Sequence, residues 1–329
     1  MTTARFVVGA LAALMLIAAP CVIEAQPAGK VWRVGFLGSV SPAANKERVD
    51  AFKDGLRALG YVEGRNIVIE YRWAEGDYSR LPKLAKELVA RKPDLIVSTG
   101  GRPSMMALRE ATSSIPVVFI GAEPVAAGIV LSLARPGGNF TGLDVFSVEL
   151  DTKRLNLLKE AFPRISSVVL LWNPDNPSAL IQRYRVETAG QTLGVQVQLA
   201  EARRPDDLDT AFASIARQRP DALLVTADPM YDSQRQRIVD LAAKLRLPTI
   251  YQWREFTDIG GLMSYGTDLT ALYRRVPAYI DRIFKGAKPG ELPVEQPAKY
   301  EFVVNLKTAK AMGLTIPPAV LARADHVIQ

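Results

Sequence analysis

Lys92-Pro93-Asp94-Leu95-Ile96-Val97-Ser98-Thr99 and Arg219-Pro220-Asp221-Ala222-Leu223-Leu224-Val225-Thr226 follow one pattern. In each, a basic residue, a proline and an aspartate lead into a short apolar run. Such a run, lacking polar alternation, reads as a strand buried on both faces. A second pair follows in the same order: Ile115-Pro116-Val117-Val118-Phe119 and Leu247-Pro248-Thr249-Ile250-Tyr251. Proline is tolerated at the first residue of a strand, where no ladder donor is needed. Chance likeness among βα units competes as an explanation. The better reading is two similar open-sheet lobes.

Around these strands the pattern alternates. Arg33 to Gly38 reads as a strand, and Val49, Phe52, Leu56 and Leu59 line one face of the helix after it. Asn66 to Tyr71 is a strand. The helix after it is expected to be capped by Ser79, with Leu81, Leu84, Ala85, Leu88 and Val89 on its apolar stripe. Pro103 to Thr112 reads as a helix. The second half repeats the scheme with strands at Val168 to Trp172, Val195 to Leu199 and Ala222 to Thr226, and helices between them. Buried strands alternating with amphipathic helices define an α/β protein of two Rossmann-like lobes with parallel sheets. Arg135-Pro136-Gly137-Gly138-Asn139-Phe140-Thr141-Gly142 is turn-rich, so the first crossing between lobes is expected near Asp144 to Glu149. A return crossing is expected near Gly260-Gly261, and a third in the proline-rich stretch 289–297. Lobe 1 is then 31–144 plus about 262–288, and lobe 2 is 145–261 plus about 294–329, although the pattern leaves open which lobe holds the C-terminal segment from Tyr300.

The chain has 329 residues, enough for two cores. Its formal charge of +7 is scattered and interleaved with acids, which reads as an ordinary solvated surface and not a nucleic-acid face. Arg5 precedes an apolar run from Phe6 to Ala19, too short for the about 20 residues that span a bilayer. It reads as a secretory signal (1–25) cut near Ala25-Gln26, with an uncut anchor as the alternative. Pro20 before Cys21 argues against lipidation. Cys21 is the single cysteine, so the mature chain is expected to carry no thiol.

The chemistry that is missing narrows the function. Gly35-Phe36-Leu37-Gly38 has the wrong spacing for a dinucleotide fingerprint, and no phosphate loop or nucleophile elbow follows a strand. The single histidine, His326, stands three residues from the C-terminus, so no histidine base or His-rich metal site is expected. No catalytic group, metal or cofactor is assigned. Polar and small residues remain at the strand C-terminal ends, the edge where open parallel sheets bind ligands. In the first half these are Ser39, Thr99-Gly100-Gly101, Gly121 and Glu123. In the second they are Trp172, Asn173, Thr226, Asp228 and Tyr251, with Tyr265 nearby. The free N–H groups at Thr99-Gly100-Gly101 suit an anion, though two glycines equally serve a tight turn. Asp228 opposes it as an acceptor for an ammonium, or caps the next helix. Trp172, Tyr251 and Tyr265 stack on a ligand or pack in the core.

Several stretches together resemble the ABC-transporter substrate-binding family whose better-known members carry aromatic amino acids. They are Val34-Gly35-Phe36, the run from Phe52 to Tyr61, Ile115 to Phe119, Arg135 to Gly142, Asn305 to Leu314, and Ile316-Pro317-Pro318. The resemblance covers nearly all of the chain beyond the leader. It implies a type I periplasmic-binding fold on a three-strand hinge. It also implies a small-molecule ligand in the cleft, such as an amino acid or related carboxylate, and a permease partner in the inner membrane. Where family members carry a Thr-Pro-type turn, this chain has Thr99-Gly100-Gly101-Arg102-Pro103. A monomeric periplasmic binding protein is the first expectation. An exported sensor subunit and a carboxylate-dependent enzyme are the alternatives.

Overall fold

The computed structural model describes residues 30–329. The expected export segment and Cys21 lie outside the described residues. From Trp32 the chain lays down strand β1 (Trp32–Gly38), helix α1 (Lys46–Ala58), β2 (Ile67–Trp73), α2 (Leu81–Ala90), β3 (Leu95–Ser98), α3 (Gly101–Ala111), β4 (Val117–Gly121) and β5 (Phe140–Asp144). These five strands form one all-parallel sheet in the order β2-β1-β3-β4-β5. All residues of β3, β4 and β5 are buried, as unalternating apolar runs require. Asp77, and not Ser79, caps the turn ahead of α2, its carboxylate accepting from the Ser79 N–H.

The chain then crosses and builds α4 (Leu150–Ala161), β6 (Ser167–Trp172), α5 (Ala179–Leu193), β7 (Gln196–Glu201), α6 (Leu208–Gln218), β8 (Ala222–Val225), α7 (Pro229–Ser233), α8 (Arg235–Lys244), β9 (Thr249–Tyr251), α9 (Arg254–Asp258) and β10 (Met263–Thr267). After these come α10 (Leu269–Phe284), β11 (Tyr300–Asn305), α11 (Leu306–Met312), α12 (Pro318–Leu321) and β12 (His326–Ile328). The second sheet runs β12-β11-β10-β9-β8-β6-β7. It is parallel except where β11 lies antiparallel to β10.

The crossing expected near Gly260-Gly261 is corrected here. The strand after those glycines joins the second sheet, pairing Met263 with Ile250 and Ser264 with Tyr251. The glycines serve packing: a Cβ on Gly266 would sit 1.8 Å from the Gln252 carbonyl, and one on Gly261 2.6 Å from that of Phe256. The return comes at Asp268, which caps α10 through the Ala271 N–H. Helix α10 packs back on the first lobe, against α1, where Gly55 lets the helices close: a Cβ there would lie 2.6 Å from the Arg274 carbonyl. The third crossing follows Glu295, whose backbone pairs with β5 at Leu143 and Asp144. Strand β11 then carries the C-terminal segment into the second sheet.

Candidate ligand-binding cleft

The C-terminal strand ends of both sheets face one cavity of about 560 Å³, including its opening to solvent. That volume lies within the range of small-molecule sites. Val40, Thr99, Gly101, Arg102, Ile120, Gly121, Ala122, Leu269 and Tyr273 line it from the first lobe, with Arg48 from α1. Asn176, Ser178, Ala227, Pro229, Asp232 and Trp253 line it from the second, and Val145 and Ser147 from the first crossing.

The turn from β3 to α3 is built around its glycines. A Cβ on Gly100 would lie 1.8 Å from Ser39 Oγ, and Gly101 has φ +65°. Ser39 Oγ donates to the Gly100 carbonyl at 3.1 Å, and the Gly100 N–H donates to Ser104 Oγ at 3.0 Å. Gly101 and Arg102 occupy the first turn of α3, where N–H groups have no intrahelical acceptor. Thr99 Oγ1 is buried and makes no hydrogen bond within 3.5 Å, with the Tyr273 hydroxyl as its polar neighbour. Ser178 Oγ, at the start of α5 on the opposite wall, is likewise buried and unpartnered.

Asp228 is corrected from ligand acceptor to structural cap. It is 1% exposed and does not line the cavity. Its carboxylate accepts from Tyr78 Oη at 2.8 Å, Asn176 Nδ2 at 2.8 Å, Asn173 Nδ2 at 3.4 Å, and the N–H groups of Met230 and Tyr231. Burial pushes its carboxyl above the usual range, and the bonds from Asn176, Tyr78 and Asn173 offset part of that. One helical turn further, Asp232 reaches the cavity. There it meets Arg48, which belongs to the first lobe and is 3% exposed. The guanidinium donates to both Asp232 oxygens and, at 2.7 and 2.9 Å, to Glu255. It also lies 5.6 Å from the Trp253 ring centre. Burial opposes the charge on Arg48, but Asp232 and Glu255 outweigh it and raise its pKa further. Burial alone would raise Glu255; Arg48 and neighbouring bonds hold it below the usual carboxylate range.

Of the residues expected from sequence, Thr99, Gly101 and Gly121 line the cavity. Ser39 and Gly100 lie beneath the turn they shape. Glu123 pairs with Arg102 at 3.4 Å. Asn173 serves Asp228 and the Asp175 N–H, and Thr226 Oγ1 donates to the Leu171 carbonyl. Trp172, Tyr251 and Tyr265 pack away from the cavity. Trp172 sits in the core of the second sheet, Tyr251 stacks on Phe256 at 4.9 Å, and Tyr265 lies against Phe302 and Tyr300. The lining aromatics are instead Trp253, two residues past β9, and Tyr273 on α10. Sequence reasoning also missed Arg48, Asp232, Asn176 and Ser178. Asp232 carried a signal, being four residues after Asp228 on the same short helix; Arg48 carried none, because its partner lies 184 positions away. Among the described residues no group of three His, Cys, Asp or Glu could hold a metal ion, and no helix is long and apolar enough to cross a membrane.

Two sheets facing one cleft across three crossings define a two-lobed solute-binding protein. The family model for the ABC transporter substrate binding proteins matches residues 33–328, and the chain belongs to that family. These are extracytoplasmic proteins that hand a small molecule to an ABC permease. A tyrosine-binding protein of Clostridioides difficile is 26% identical over 275 residues, 83% of this chain and 78% of that one. A conserved domain protein from Vibrio cholerae superposes with a TM-score of 0.84 at 29% identity, covering 91% of this chain and all of the other. An ABC domain from Streptococcus pneumonia in complex with L-Trp superposes with a TM-score of 0.82 at 26% identity, covering 90% and 99%.

Proposed function

We propose that this chain captures an amino acid or related carboxylate in its interlobe cleft and delivers it unchanged, as a periplasmic monomer exported by its N-terminal segment. One observation carries the reading. A cavity walled by both lobes presents a buried, unpartnered hydroxyl from each wall, Thr99 on one and Ser178 on the other. Buried polar groups without partners cost free energy, and a ligand that bonds to both hydroxyls would remove that cost. The start of α3 beside Thr99 supplies N–H groups and a partial positive charge for a carboxylate. The tyrosine-binding relative and the L-Trp complex support a ligand of this size and chemistry.

Native mass spectrometry of protein freshly purified from the cell envelope is expected to show a small molecule bound to a chain beginning near Gln26. The same molecule should raise the melting temperature, because it binds only the folded state. Conversion of that molecule on standing would instead make the chain an enzyme.

A further inference from the structure

Hydrogen-bonding groups that are free at the cavity differ sharply from those that are already used. Without partners are the hydroxyls of Thr99, a residue 7% exposed, and Ser178, 4% exposed, which donate or accept, and the first-turn N–H groups of α3 and Arg102 Nε, which only donate. The carboxylates are committed. Asp232 takes both prongs of Arg48 and a further bond from Arg235 at 3.3 Å. Glu255 takes two bonds from Arg48, and Glu123 is paired with Arg102. Asp228 is saturated behind the wall. Among the described residues, the buried carboxylate oxygens without partners are Glu149 Oε2 and Asp151 Oδ2, and neither residue lines the cavity.

An α-ammonium entering this cavity therefore finds no unpaired carboxylate. Its route to Asp232 meets the Arg48 charge in direct contact with that carboxylate. Displacing Arg48 would strand a buried guanidinium, which is strongly unfavourable. Around the cavity the guanidinium groups of Arg48, Arg102 and Arg235 face the carboxylates of Asp232, Glu255 and Glu123, and their charges cancel. Beside these pairs the first turn of α3 adds a partial positive charge. Ser147 and Asn176 also line the wall, and its apolar part is Val40, Ile120, Val145 and Leu269 beside the rings of Trp253 and Tyr273.

We propose that the ligand is a carboxylic acid with an apolar body and no α-ammonium, and that the cleft discriminates against the corresponding α-amino acid. The carboxylate lies at the start of α3 on Thr99, Ser178 closes over it from the second lobe, and the body lies between Trp253 and Tyr273. This rests on the reading of the cleft as a carboxylate site. It departs from the zwitterionic ligands named for the two relatives. Arg48 is the residue that sets the discrimination, by occupying the acceptor an ammonium would need.

Matched pairs test it by calorimetry on the dialysed mature chain: 3-phenylpropionate against L-phenylalanine, 3-(4-hydroxyphenyl)propionate against L-tyrosine, indole-3-propionate against L-tryptophan, and 4-methylpentanoate against L-leucine. In at least one pair the acid is expected to bind about tenfold or more tightly than its amino acid. Thr99→Val should weaken that acid about tenfold without lowering the melting temperature, since its hydroxyl has no protein partner. If the amino acids bind as tightly as the acids or more so, the proposal falls while the cleft reading stands. If no probe binds, the proposal also falls, and native mass spectrometry then decides the cleft reading separately.

Discussion

Asp228 is a cap whose loss should be felt as stability. Five donors converge on it, one of them the Tyr78 hydroxyl from the other lobe. Removing a buried acceptor strands its donors, which costs about 1–3 kcal/mol for such a group, with about 1 kcal/mol more for the lost cap. Asp228→Ala is therefore expected to lower the unfolding free energy by about 2–4 kcal/mol in urea titration. An unchanged midpoint would show that these bonds add nothing net. Asp151 behaves differently. Burial pushes its carboxyl up to about 6, although Arg154 beside it pulls the other way. Its folded pKa is thus above its unfolded one. The site's contribution to stability is complete below the ordinary carboxylate value and is lost as pH rises through about 6. Carbon-13 NMR of the Asp151 carboxyl should give a midpoint near that value; ionisation near the ordinary carboxylate value would mean that Arg154 dominates.

Among the elements, the β3–α3 turn is the one on which the site depends. Gly100 has no room for a side chain because Ser39 fills the space. Gly100→Ala should cost about 1–3 kcal/mol by forced displacement of the Ser39 loop. It should also abolish binding by moving Thr99, as read by calorimetry with the co-purified ligand. Gly101→Ala should be milder, about 1–2 kcal/mol, since its strain is the left-handed φ. Equal effects from the two substitutions would mean that Ser39 moves aside freely. The glycines at Gly261 and Gly266 look much the same in sequence yet serve strand packing in the second sheet. A glycine states that something approaches closely, and not what approaches.

At the scale of the molecule, protein contacts stitch the lobes together. Arg48 reaches Asp232 and Glu255, Tyr78 reaches Asp228, the Ser41 N–H reaches Ser233 Oγ, and Arg235 reaches the Ala44 carbonyl. Each runs from the first lobe to the second. They favour a closed form even before ligand adds its own differential binding. Breaking a buried ion pair by removing one partner costs about 3–5 kcal/mol. In Arg48→Ala that cost is avoidable by opening, which returns Asp232 and Glu255 to water. Small-angle scattering of the ligand-free variant should therefore show a larger radius of gyration than the wild type, with only a modest loss of melting temperature. Identical profiles would mean that the cluster does not hold the lobes together. Saturating ligand should compact the variant again.

The residue pattern alone determined the α/β alternation, the paired Pro-Asp strand entries and the glycine turn between β3 and α3, which lines the cavity. These follow from local rules: burial on both faces writes an apolar run, and a tight strand-to-helix turn writes glycine. Tertiary structure decided which acids face the cavity and which lie behind it. Asp228 and Asp232 differ by one helical turn, and only the packing of α7 sends one to Tyr78 and the other to Arg48. It also decided that β10 stays in the second sheet, through pairing with β9, and that Trp253 and Tyr273 are the lining rings in place of Trp172, Tyr251 and Tyr265. The physical reason is common to all three. A cleft is made by strand ends and helices from two lobes meeting across space, so its chemistry depends on partners such as Arg48 and Asp232, 184 positions apart. No local pattern in the chain encodes that distance.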